Sequence, residues 1–179
     1  MKKLKNEELN RISVSAFKEA EKAPLVLVLD NIRSLHNIGS VFRTADAFRI
    51  QSIYLCGITA CPPHREIHKT ALGATESVHW KYFPSALDAI EELRKENYII
   101  AAIEQAANSC YLNRFIPEKT NKYAFIFGNE VMGVEENIVE KADLCIEIPQ
   151  FGTKHSLNIA VSAGMLVWDF FSKTQNNPI

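Results

Sequence analysis

Residues 25–29, Leu-Val-Leu-Val-Leu, form an unbroken apolar run between Pro24 and the polar pair Asp30-Asn31. A run this short, without polar alternation, predicts a strand buried on both faces of a parallel sheet. Further strands are predicted at 52–56, 78–83, 98–103, 123–127 and 144–148, separated by helical patterns at about 38–49, 85–96, 134–142 and 158–172. That alternation argues for an α/β fold, a parallel sheet with helices on both faces. Ahead of it, residues 6–22 read as an amphipathic helix carrying Leu9, Ile12, Phe17 and Ala20, which Pro24 ends. The chain thus divides into an N-terminal accessory helix (1–23), one α/β domain (24–172) and a C-terminal tail (173–179).

The last helical pattern is apolar almost all the way round: Ile159, Val161, Ala163, Met165, Leu166, Trp168 and Phe170 leave no polar face. Such a helix must be covered on more than one side. The sheet covers one side, and a second copy of the chain is the simplest cover for the rest, so a homodimer is expected.

Composition adds limits. With 179 residues and 47% hydrophobic content, the chain has enough apolar surface for one core. A formal charge of −1 gives no overall basic field, so any nucleic-acid contact must come from a local patch. The cysteines Cys56, Cys61, Cys110 and Cys145 are scattered in a chain that needs no staples, which favours reduced thiols and a cytoplasmic protein. The charged N-terminus has no apolar signal region, and no stretch approaches the roughly 18 apolar residues of a membrane span.

Three strand-to-helix junctions hold the candidate chemistry: 31–45 with Asn37, Gly39 and Arg43; Phe127-Gly128-Asn129-Glu130; and Ile148-Pro149-Gln150 running on to Ser156-Leu157-Asn158. Open α/β sheets keep their ligands at such junctions, because strand ends and helix N-termini surround one crevice with backbone donors. In the first junction Ile38, Val41, Phe42 and Ala45 recur at helical spacing, and Arg43 falls on the opposite side. Out of context this is a helix cap, Asn37, plus a solvated arginine. Gly128 belongs to no GxGxxG fingerprint, which disfavours a dinucleotide cofactor, and Glu130 alone reads as a capping or surface glutamate. Ser156 or Asn158 suits the cap of the last helix.

Together, Asn37 six residues before Arg43, Gly-Asn-Glu after an apolar strand, and Ile-Pro followed by Ser-Leu-Asn resemble the three motifs of the SpoU/TrmH family. These are S-adenosyl-L-methionine-dependent RNA ribose 2′-O-methyltransferases of the SPOUT class, and the resemblance spans 24–171. It implies a homodimer and a deep C-terminal trefoil knot threaded near 150–156, which periodicity would never suggest. It also implies that Arg43 is catalytic, with Asn37, Glu130 and Asn158 in support, Glu130 orienting Arg43 or holding the ribose. S-adenosyl-L-methionine is expected at Gly128, Ile148, Gln150, Ser156 and Leu157, with Ala102 and Glu104 as a further wall. A guanidinium holds its proton to above about pH 12, so Arg43 is read as positioning and polarising the 2′-OH, with proton abstraction left open.

The stretch Lys69-Thr-Ala-Leu-Gly-Ala74 with Trp80 resembles the tRNA guanosine branch, making tRNA the expected substrate and ribosomal RNA the alternative. A non-catalytic RNA-binding or assembly protein of the same fold is a further alternative, opposed by the intact Asn37, Arg43, Glu130 and Asn158. Arg33, His36, Arg65 and Lys69 are expected to meet RNA phosphates beside Arg43, the last two from an exposed loop. Cys56, Cys61, His64 and His68 are spaced too tightly for a zinc finger, so no metal is expected. No GxSxG is present, and His155-Ser156 has no evident acid partner for nucleophilic hydrolysis.

Overall fold

A computed structural model describes residues 1–174. The strands are β1 (Ala23–Asp30), β2 (Ile50–Cys56), β3 (Trp80–Phe83), β4 (Tyr98–Ile103), β5 (Cys110–Tyr111), β6 (Lys122–Phe127) and β7 (Leu144–Glu147). They form one sheet in the order β3-β2-β1-β6-β4-β7-β5, with every pairing parallel. The helices are α1 (Val14–Glu19), α2 (Leu35–Ala47), α3 (Arg65–Ala71), α4 (Ala74–Ser77), α5 (Ala86–Lys95), α6 (Glu136–Lys141) and α7 (Ile159–Thr174).

The pleat of β1 divides its apolar run between two cores. Leu25, Leu27 and Leu29 pack with Ile38, Phe42, Leu166 and Phe170 of α2 and α7. Val26 and Val28 pack with Ile90 and Leu93 of α5 and Ile138 of α6. Burial on both faces is what the unbroken run requires. Because α2 leaves β1 on one face and α6 follows β6 on the other, the chain directions part between these neighbouring strands. That is a topological switch point, and it opens a crevice at their carboxyl ends.

The strand predicted at 98–103 is β4 to the residue, and the other predicted strands are present with shifted ends. The N-terminal helix is different. A 3-10 turn (Asn6–Leu9) ends at Asn10, whose φ of +48° breaks the helical path, and α1 begins afresh with Ser13 Oγ accepting the Ala16 N–H at 3.2 Å. Of this region's apolar residues only Phe17 is buried, so a continuous amphipathic helix had little to gain. The expected exposed loop at 62–69 is half helix. His64 Nδ1 accepts the Glu66 N–H to start α3, and only Ile67 and Ala71 of α3 are buried, too few for a readable period.

The last helix buries Ile159, Ala163, Leu166, Val167 and Phe170 but exposes Val161, Met165 and Trp168. It runs into the expected tail, to Thr174, and residues 175–179 lie outside those described. Segment 148–158, where the family resemblance places its knot, passes the end of β4, where Gln105 Nε2 donates to the His155 carbonyl at 2.6 Å. Among the described residues no helix is long and apolar enough to cross a membrane.

Candidate active site

The first junction follows Asp30, whose carboxyl is buried at the end of β1. Burial and the nearby Glu135 raise its pKa to about 6, against the hydrogen bond from Asn31 Nδ2. Asn31 turns the chain with φ of +54°, and its carbonyl accepts from Asn129 Nδ2 at 2.7 Å, tying the first junction to the second. The cap of α2 is Ser34 rather than Asn37: Ser34 Oγ accepts the Asn37 N–H at 3.3 Å. Displaced into the first turn, the Asn37 side chain does not itself line the crevice but is free to bond to the two junctions that do.

It does so in two directions. Asn37 Nδ2 donates to Glu130 Oε1 at 3.3 Å, and Asn37 Oδ1 accepts from Asn158 Nδ2 at 3.1 Å. Glu130 also accepts the backbone N–H groups of Arg33 and Ser34, each at 3.0 Å. Burial works against ionisation of Glu130, but the hydrogen bonds from Arg33, Ser34 and Asn37 outweigh it and hold the carboxyl below its ordinary range. Glu130 therefore organises the backbone before α2, and no hydrogen bond joins it to Arg43. Arg43 is exposed on α2, as the stripe implied, and makes no hydrogen bond or ion pair with other described residues. Asn37, expected to support it, is bonded elsewhere.

Gly128 is required by the packing of its own loop. A Cβ there would lie 2.1 Å from the carbonyl of Gly133 and 2.2 Å from the nitrogen of Val134, so the loop folds back against its own start. The Asn129 carbonyl accepts the Gly133 N–H at 2.9 Å, and Asn129 Oδ1 accepts those of Val131 and Met132. Glu104, at the end of β4, accepts the Val134 N–H at 3.0 Å and the Gln105 N–H at 2.7 Å. It buttresses this loop as well as lining the crevice.

The crevice has a volume of about 570 Å³, within the roughly 300–1,000 Å³ of small-molecule sites. Glu104, Gly128, Ile148, Gln150, Ser156 and Leu157 line it as expected, together with Glu130 and Asn158. Ala102 does not. Its side chain is fully buried on the α5 and α6 face of the sheet, and the next residue, Ile103, takes its place. Gln105, at the same strand end as Glu104, lines the crevice too, as do Met132 and His155, whose membership depends on how the loops meet. Asn158 both caps α7, accepting the Ala160 N–H at 2.9 Å, and joins Asn37. Among the described residues the backbone groups of Ile148, Gln150 and Leu157 make no hydrogen bond with the rest of the chain. That leaves them to hold the polar edges of a bound molecule.

Of the expected cationic rim, His36 and Lys69 meet at a shared acid, Glu66, which accepts from His36 Nε2 at 3.3 Å and Lys69 Nζ at 2.7 Å. Arg65 begins the same helix, and Arg33 lies beside Glu130 through its backbone. No hydrogen bond joins any of the four to Arg43. Cys56 is buried in β2, where burial pushes its thiol pKa up, and His64 is occupied at the start of α3. Among the described residues no group of three or more histidine, cysteine or acidic side chains is arranged to hold a metal.

Residues 24–168 match the SpoU rRNA Methylase family. The 23S rRNA (guanosine-2′-O-)-methyltransferase RlmB of Neisseria meningitidis is 31% identical over 144 residues, which are 80% of this chain and 56% of that enzyme. An A. aeolicus TrmH/SpoU tRNA modifying enzyme shares the fold with a TM-score of 0.77 at 23% identity, over 89% of this chain and 81% of that one. An AdoMet-bound rRNA methyltransferase from Sinorhizobium meliloti does so with a TM-score of 0.76 at 24% identity, over 86% and 59% respectively. The chain spans 56% to 64% of the length of the curated relatives it matches.

Proposed function

This chain belongs to the SpoU rRNA Methylase family, and from that membership we propose that it methylates a ribose 2′-OH of structured RNA using S-adenosyl-L-methionine. The observation that supports this most directly is the Glu130–Asn37–Asn158 chain of hydrogen bonds, which ties the first junction to the two that line the crevice. Unpaired backbone groups at Ile148, Gln150 and Leu157 suit the adenine and ribose edges of the cofactor. When bound, the cofactor supplies an electrophilic methyl group on a positively charged sulfur. The protein's part is to align and to stabilise. Glu130 and Asn37 set the start of α2, and α2 presents Arg43 to the RNA. Its fork can hold a phosphate in two hydrogen bonds while polarising the adjacent hydroxyl.

The finer reading is a tRNA guanosine, resting on the resemblance of 69–74 and Trp80 to that branch. The RlmB relative supports ribosomal RNA as the second reading. We place the reaction in the cytoplasm, in keeping with four free cysteines. A homodimer is proposed because Val161 (48% exposed), Met165 (44%) and Trp168 (55%) form an apolar stripe on α7, extended by the ring contacts of Phe48 and Phe171 with Trp168. Within this reading, segment 148–158 is threaded as the family's knot.

The decisive experiment incubates the protein with methyl-labelled S-adenosyl-L-methionine and, separately, unmodified tRNA and ribosomal RNA, followed by digestion to nucleosides. Label is expected in a 2′-O-methylnucleoside from the tRNA arm. Label in the ribosomal arm alone would select the second reading, and label on a base or in neither arm would overturn both.

A further inference from the structure

A second cleft, of about 720 Å³, lies outside the candidate active site between residues 62–64, α3 and the start of β3. Pro62, Pro63 and the half-buried Trp80 supply flat apolar surface, Arg65 supplies a positive charge, and His68 and Lys69 supply polar nitrogen atoms. We propose that this cleft takes an unpaired nucleobase of the RNA substrate, stacked on the Trp80 indole, while Arg65 holds the adjoining phosphate. The inference rests on the RNA methyltransferase reading and adds to it a nucleotide site distinct from the methylated ribose.

Stacking on an aromatic face accepts any base and is the usual means of holding single-stranded nucleic acid, provided that a cation tracks the backbone. Here the charges favour that occupant. Glu66 is already engaged by Lys69 and His36, whose hydrogen bonds keep it ionised below its ordinary range. The side chains of Arg65 and His68 make no hydrogen bond or ion pair with other described residues. His64 Nδ1 accepts the Glu66 N–H, which leaves its other ring nitrogen as a donor at the cleft. Glu76 is the one carboxylate among the described lining residues.

The cleft is also tied to the acceptor side of the active site. Thr70 Oγ1 donates to the His36 carbonyl at 3.1 Å, and a Cβ on Gly39 would lie 2.3 Å from the Ile67 carbonyl, so α3 and α2 touch backbone to backbone. A base seated against α3 is thereby held at a fixed offset from Asn37 and Arg43 on α2. Such an anchor sets which ribose reaches Arg43.

Trp80 and Trp168 are the only tryptophans, so Trp168→Phe leaves Trp80 as the sole indole. Its fluorescence, titrated with unfractionated bacterial tRNA and with ribosomal RNA, is expected to be quenched in parallel with RNA binding. Before RNA is added, iodide should reach the indole. Trp80→Leu, which keeps apolar bulk and removes the stacking face, should weaken RNA binding about tenfold with cofactor affinity unchanged, and Trp80→Phe should retain it. The quenching measurement keeps the original cleft and decides the matter even where Trp80→Leu does not fold. Saturating RNA with an unquenched Trp80, or an indole already shielded from iodide by a second copy of the chain, would overturn the inference while leaving the methyltransferase reading intact. Failure of both RNAs to bind would remove that reading as well.

Discussion

Glu130 and Asp30 are carboxyls a few ångströms from the same turn, yet their surroundings act on them in opposite senses. Glu130 is held below its unfolded value near 4.5, so its stabilising effect is present above that pH and is lost as pH falls through the lower folded value. Because the side chain is exposed, screening limits the effect: Glu130→Gln should cost about 0.5–1 kcal/mol at pH 7, and in urea unfolding the difference should disappear as pH falls through the lowered folded value. Asp30 is raised from 3.8 to about 6, so the folded state binds the extra proton and stability falls as pH rises through that window. Above it the ionised buried group costs up to about 3 kcal/mol. Asp30→Asn should therefore gain about 1–3 kcal/mol at pH 8 and flatten the pH profile; a variant as pH-sensitive as the wild type would show that Asp30 is not the group responsible. Arg43, unpaired in the protein, serves substrate alone on our reading. Arg43→Ala should lower methyl transfer more than tenfold and leave cofactor binding, measured by calorimetry, within about threefold.

The junction of α2 with α3 admits no side chain at Gly39, where a Cβ would stand 2.3 Å from the Ile67 carbonyl and 2.1 Å from Thr70 Oγ1. Gly39→Ala should cost about 1–3 kcal/mol through overpacking, seen as a lower urea midpoint with unchanged slope, and Thr70→Ala should not restore it because the backbone carbonyl remains. Sequence patterning reached this region unevenly, for physical reasons. β1, β4 and β6 were legible because burial on both faces demands continuous apolar runs. By contrast, α3 and α4 are too short to show a period, and the two residues of β5 exist as a strand through pairing of Cys110 with Ile146 of β7. In the site, Asn37, Glu130 and Asn158 were legible as motif positions, but their partners were not. That Glu104 accepts from Val134 and that His36 reaches Glu66 depend on segments thirty residues apart meeting, whereas the Ser34 cap of α2 is local and was hidden only because Asn37 suits the same role. Ala102 was misjudged by one residue, and in a strand one residue is the other face of the sheet.

The exposed stripe on α7 is the surface on which the proposed homodimer rests. Met165→Glu should yield a monomer that still unfolds cooperatively, since this side chain is already solvated in the protomer, whereas Leu166→Glu places a charge at a fully buried position and should prevent folding. Sedimentation separates the cases, and a Met165→Glu protein that remains dimeric would move the interface elsewhere. The bond between Asn37 and Asn158 joins residues 121 positions apart, with Glu130 between them in sequence. During translation α2 therefore emerges long before the two groups that complete its surroundings, and the crevice acquires its last wall only when segment 148–158 has left the exit tunnel. A chain arrested before that segment should bind no S-adenosyl-L-methionine. The RNA nearest to a half-made copy is the ribosome producing it, and until segment 148–158 has been made that copy has no site with which to act on it.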